Sequence, residues 1–160
     1  MKKTYYTAIH TIPPGQYIIS DECYIYPHNN DEADKARDLT MEAIFNDPNN
    51  PNKYERCARF ETEFGPLIIN GTAFGDGCYP LRHKGVLVYD LPVDAGNISL
   101  IPFKYALKFN PKLTFSNQNP MTPDNHSNHL GFYVEFKKET KLYYEDGDWT
   151  VGDYSVKTND

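Results

Sequence analysis

A chain of 160 residues with 39% hydrophobic and 14% aromatic side chains is long enough to build one core and too aromatic to remain unfolded as a whole. Its formal charge of -6 disfavours direct nucleic-acid binding, because holding a phosphate backbone requires Lys and Arg to displace its counterions. Thirteen Tyr and nine Phe favour strands, where ring faces cover a sheet while hydroxyls reach solvent or a partner.

The first thirty residues read as strands over 4–9, 16–20 and 23–26. Pro13-Pro14-Gly15 turns the chain between the first two, and Asp21-Glu22 bends it between the last two. Tyr17 with Ile19, and Cys23 with Ile25, keep the period of two expected of half-buried strands. The stretch after Met1-Lys2-Lys3 is too polar and short for a signal-peptide core, and no window approaches the roughly 18 apolar residues of a membrane span. The expectation is a soluble cytoplasmic protein without a membrane partner.

From Asn30 the apolar spacing becomes helical, through Ala33, Ala36, Leu39, Ala43 and Ile44. Asn30 or Asp31 is a suitable N-cap ahead of an acidic first turn, and Pro48 limits the far end. The spacing predicts one helix over about residues 31–46, followed by a surface loop at 46–53.

Strand patterns then recur at 67–69, 72–74, 85–89, 98–101, 105–109 and 112–115, each bounded by Gly, Pro, Asn or Asp. The polar run 116–129 is a loop. Beyond it Phe132/Val134/Phe136, Leu142/Tyr144 and Trp149/Val151 alternate as a meander, with Asp146-Gly147 as the hairpin signal. The whole predicts a single mainly β domain, an antiparallel β-barrel or β-sandwich with one inserted helix.

Two acidic glycine turns, Gly75-Asp76-Gly77 and Asp94-Ala95-Gly96, stand with Asp21 at predicted strand ends. Folded together, the three carboxylates form either a hard-cation site or an acid/base pair. The structural reading outweighs this, because Asp beside Gly accepts hydrogen bonds from its own turn. A second reading makes the turns the rim of a pocket. There Tyr24, Tyr26, Phe74, Tyr79 and Tyr89 would stack a planar ligand while Arg82, Lys84 or backbone amides meet its phosphate. The ligand-binding candidates are Asp21, Tyr24, Phe74, Asp76, Tyr79, Arg82 and Asp94.

Other constellations are weaker. Cys23, Cys57 and Cys78 are odd in number and lack CxxC spacing, so neither a disulfide framework nor a zinc knuckle is implied. Cys78 and His83 lack a recognisable orienting group for nucleophilic catalysis. His126 and His129 sit in the polar loop, and Glu145, Asp146 and Asp148 lack the ligand series of an EF-hand. No P-loop, GxGxxG, GxSxG or HExxH occurs, so those nucleotide and hydrolase classes lose their usual signatures. No cofactor, metal or catalytic residue is assigned.

Three segments together resemble a pattern found in small uncharacterised proteins of bacteriophages and bacteria, "GDPCYv-P", "T-A-y-GDG-Y" and "VDAG-i-iiP". Here they read Ser20-Asp21-Glu22-Cys23-Tyr24-Ile25-Tyr26-Pro27, then Thr72-Ala73-Phe74-Gly75-Asp76-Gly77-Cys78-Tyr79, then Val93-Asp94-Ala95-Gly96-Asn97-Ile98-Ser99-Leu100-Ile101-Pro102. The match covers about a third of the chain and departs at Ser20 and Glu22, where glycine and proline are usual. It implies a β-rich fold and a mobile-element origin more than a chemistry. The resulting expectation is a non-enzymatic accessory factor that binds a host protein or sequesters a small nucleotide-like ligand, with possible anti-defence action. The alternative is a metal-assisted hydrolase or phosphodiesterase using the acidic turns.

Overall fold

Strand burial separates the chain into a sheet covered on both faces and a sheet covered on one. The computed structural model describes residues 3–49, 54–112 and 131–159. In chain order the strands there are β1 (Lys3–Tyr5), β2 (Thr7–Ile12), β3 (Gly15–Ser20), β4 (Cys57–Thr62), β5 (Gly65–Asn70) and β6 (Gly77–His83). They continue with β7 (Val86–Val93), β8 (Ser99–Pro102), β9 (Gly131–Phe136), β10 (Thr140–Glu145), β11 (Asp148–Val151) and β12 (Tyr154–Val156). Two helices, α1 (Asp31–Phe45) and α2 (Phe103–Phe109), and a 3-10 turn at Glu22–Ile25 complete the set.

The first sheet has the order β1-β4-β5-β8-β3-β9 and the second β2-β10-β11-β12-β6-β7, with antiparallel pairing throughout. Neither closes into a barrel. The mainly β fold is therefore a sandwich. Its inner core joins Tyr17, Ile19, Ile68 and Leu100 of the first sheet to Leu81, Leu142, Trp149 and Val151 of the second.

The outer face of the first sheet is covered as well. Ile18, Ala58, Ile69 and Ile101 pack there with Ile25 of the 3-10 turn, Ala33 and Ile44 of α1, and Ala106 and Phe109 of α2. Burial on both faces explains why β3, β5 and β8 carry unbroken apolar runs rather than alternation. In β10, by contrast, Leu142 and Tyr144 are buried while Lys141, Tyr143 and Glu145 are exposed, the pattern of a sheet with one wet face.

Helix α1 begins and ends near its expected bounds. The Asn30 side chain accepts from the Ala33 N–H at 2.9 Å, satisfying one orphan donor of the first turn. The Asp146-Gly147 hairpin also forms, with Glu145 opposite Asp148. Asp146 and Gly147 have φ of 46° and 99°, the positive values of a primed turn.

Three local expectations are corrected. Residues 105–109, read as strand, lie in α2, because the first sheet's outer face needs a lid and helical spacing turns Ala106 and Phe109 into it together. Residues 23–26, also read as strand, lie in the 3-10 turn or at its end, where the Asp21 carboxylate captures the Cys23 N–H at 2.9 Å. Residues 72–74 form an irregular loop tied by the Thr72 hydroxyl, which donates to the Gly75 carbonyl at 2.8 Å. Lys112 lies in a turn, whereas 113–115, the 116–129 loop and residues 50–53 fall outside the described residues.

Candidate functional site

Strands β3, β5, β6 and β7 deliver the acidic turns to one end of the sandwich, and there the carboxylates converge on backbone. Asp21 is fully buried. Its Oδ2 accepts from the Asp94 and Ala95 N–H groups at 2.8 and 2.7 Å, and its Oδ1 from Cys23. Asp76 Oδ1 accepts from the next amide, Gly96, at 3.1 Å. Successive amides in a turn make an anion-binding concavity. Here the chain's own Asp21 and Asp76 fill it.

Asp94 itself is exposed and accepts from the Tyr24 hydroxyl at 2.5 Å. Burial raises the Tyr24 pKa, and this hydrogen bond raises it further. Burial also raises the Asp21 carboxyl, against the pull of its three amides. Asn97 completes the junction, its Oδ1 accepting from the Glu22 N–H at 3.1 Å and the Ser99 hydroxyl at 2.7 Å. Gly96 has φ +70°, and an added Cβ would lie 2.9 Å from the Phe45 ring, so only glycine fits without displacement.

The remaining candidates divide. Tyr79 is buried and donates to the Gly75 carbonyl at 2.8 Å, holding the same loop. Phe74, 71% exposed, stands on that loop. Arg82 lies on β6 opposite Ser155 and Leu87, roughly 17 Å from the turns at five strand residues beyond Gly77. Cys78 and His83 are five residues apart on the same strand, which places them on opposite faces, and His83 stacks on Tyr154 at 4.4 Å. Burial raises the Cys23 and Cys57 thiols, leaving neither an activated nucleophile. Among the described residues, no three His, Cys, Asp or Glu side chains are grouped to hold a metal ion.

A different concavity opens where α1, α2 and the β4–β5 hairpin meet. This cleft of about 290 Å³ is walled by Ala36, Leu39, Phe60 and Leu67, with Tyr26 and Tyr105 beside them. The Tyr26 and Tyr105 hydroxyls share a hydrogen bond of 2.9 Å, and both rings meet Phe109 edge-on at 5.1 Å. Glu32, Glu61, Glu63 and Lys108 form the charged part of the lining. Lys108 Nζ bridges Glu32 at 2.6 Å and Glu63 at 3.1 Å, while Glu61 meets Arg59 at 2.6 Å.

Glu22 is fully buried next to two residues of this lining, Tyr26 and Thr40. Burial pushes its carboxyl up to about 8, the Thr40 and Tyr26 hydroxyls and Arg37 offsetting only part of the rise while Asp21 adds to it. One oxygen, Oε2, meets no hydrogen-bond partner among the described residues. A neutral acid thus underlies the cleft at neutral pH.

No protein-family model, curated protein or solved structure matches the chain. The cleft therefore has to be read from its own chemistry. Sequence reasoning named Tyr26 as a pocket residue but missed the cleft, because Lys108 lies 76 positions from Glu32 and 45 from Glu63. The available signal was Glu22, a carboxylate where the resembled pattern has proline.

Proposed function

We propose that the protein is a non-enzymatic binding protein that engages a host protein through the helix-side cleft. The motif resemblance supports placing it as a phage or mobile-element accessory factor in the host cytoplasm, with anti-defence a fitting role. The observation that carries the reading is the cleft itself. It is concave, with an apolar and aromatic wall beside a charged edge of Glu32, Glu61, Glu63 and Lys108, the composition of sites that anchor a partner's side chain.

Between the two targets considered, the electrostatics favour a protein over a nucleotide. Three carboxylates and a lysine already held by two of them oppose a phosphate at the cleft. The amides of the acidic turns are likewise occupied by Asp21 and Asp76. The same occupancy weighs against hydrolysis by the acidic turns, since a general base needs a lone pair aimed at substrate.

Affinity capture from host lysate, followed by titration of the purified partner, tests the reading. Ala36→Phe narrows the cleft, and Leu39→Arg alters an exposed part of its lining without touching the core. Both are expected to weaken binding at least ~tenfold, a loss of ~1.4 kcal/mol, with circular dichroism unchanged. Undiminished binding by both variants would overturn the cleft as the interface.

A further inference from the structure

We propose that the cleft receives a lysine side chain of the partner protein, and that Lys108 holds the same cation position while the cleft is unbound. The inference rests on the cleft being the binding site and names what enters it.

Lys108 already occupies a cation position in the cleft lining. Its ammonium lies between the Glu32 and Glu63 carboxylates, and it stands 5.6 Å from the centroid of the Phe109 ring. An ammonium recognised by two carboxylates and an aromatic neighbour is a complete binding arrangement for that group. Lys108 reaches it from the exposed surface of α2, with 35% of its side chain accessible, so solvent screens the pair and a competitor can replace it at modest cost.

The rest of the cleft suits the stem of such a side chain. Lysine carries four methylenes, which cover apolar surface while the charged head stays polar. Phe60, Leu67 and Tyr105 supply that surface next to the two carboxylates. A guanidinium is a poorer match, because its planar fork seeks two parallel acceptors on one carboxylate. Here one oxygen from each of two separate carboxylates meets a single nitrogen. With Lys108 displaced, Glu32 and Glu63 lose its charge while Glu61 keeps Arg59, which favours a cation and disfavours an anion.

Nuclear magnetic resonance titration with N-acetyl-lysine N-methylamide, followed at the Tyr105 and Phe60 rings, tests the assignment on the full chain. Saturable shifts are expected with this probe and none with its Nε-acetylated form at equal concentration. Lys108→Met removes the resident cation and is expected to tighten binding ~fivefold, the ratio of a modest exposed ion pair. Glu32→Gln combined with Glu63→Gln should abolish saturation. Equal binding of the Nε-acetylated probe, or weaker binding by Lys108→Met with the fold intact, would overturn the inference. Tyramine or putrescine binding over ~100-fold tighter than the lysine probe, ~2.7 kcal/mol, would make a small amine the occupant and overturn the side-chain assignment. If Ala36→Phe and Leu39→Arg abolish partner binding while the lysine probe causes no shift, the cleft reading stands and the lysine inference falls.

Discussion

The Asp21 carboxylate accepts the Ala95 N–H at 2.7 Å across 74 positions of sequence. With its bonds to Asp94 and Cys23 it ties the loop after β7 to the 3-10 turn around one buried carboxylate. Converging acidic turns look like a site in one dimension. In three they organise backbone.

Asp21 should accordingly outrank the other two acidic residues in stability. Asp21→Asn removes acceptor capacity facing three amides and inserts an NH2 among donors, and is expected to cost ~3 kcal/mol or more. Asp76→Asn loses one longer bond at the edge and should cost less than ~1 kcal/mol, as should Asp94→Asn, whose partner Tyr24 remains wettable. Urea denaturation of the three variants checks the order. Equal costs would remove Asp21 from the centre of the junction.

Gly96 and Gly75 separate backbone from packing. Both have positive φ, +70° and +74°, but an added Cβ meets Phe45 at 2.9 Å at Gly96, whereas at Gly75 it meets nothing within 4 Å among the described residues. Gly75→Ala should cost ~1–2 kcal/mol for the left-handed backbone alone. Gly96→Ala should exceed it by ~1 kcal/mol or more for overpacking. Thermal melts showing the same shift for both would mean that Phe45 swings aside without loss.

How far these features were legible depended on sequence range. Residues 31–45 and the Asp146-Gly147 hairpin could be read because their caps, periodicity and positive-φ turn residues are local. The antiparallel β class followed from the strand spacing, which left barrel and sandwich open; the pairing of the strands into two sheets decides for the sandwich. Asp-Gly chemistry made backbone capture the first reading of the acidic turns and a pocket rim the second, but which amides each carboxylate takes depends on loop docking. The 105–109 segment misled because Phe103, Tyr105, Leu107 and Phe109 alternate as in a strand, whereas the sheet face it covers lies elsewhere in the sequence. The cleft was missed for the same reason, since it is built from four segments that meet only after folding and Glu22 alone marks it locally.

The lid formed by α2 should be held mainly by Phe109, which is buried and edge-packed against both Tyr26 and Tyr105. Phe109→Ala is expected to cost ~3 kcal/mol and to broaden the Tyr26 and Tyr105 ring resonances, since their shared support is gone. Ala106→Gly, on the same helix but touching the sheet through a methyl, should cost only ~1 kcal/mol. A Phe109→Ala loss no larger than that of Ala106→Gly would show that the lid is held elsewhere along its length.

Glu22 makes stability depend on pH in an unusual direction for a carboxylate. Its folded carboxyl keeps the proton up to about pH 8, whereas the unfolded chain releases it near 4.5. Between those values the folded state binds more protons, so its contribution is fully present below pH 4.5 and declines as pH rises toward 8. The decline reaches ~1.4 kcal/mol per pH unit inside that window and levels off above it. Glu22→Gln keeps the neutral shape and removes the titration. The free-energy difference between wild type and Glu22→Gln, measured by urea unfolding at successive pH values, should therefore fall steadily across the window against wild type and stay flat outside it. Asp21, which titrates nearby, is common to both proteins and largely cancels in the difference. Parallel curves would mean that the buried carboxyl ionises at its ordinary value, and a difference rising with pH would mean that its anion is the stabilised form.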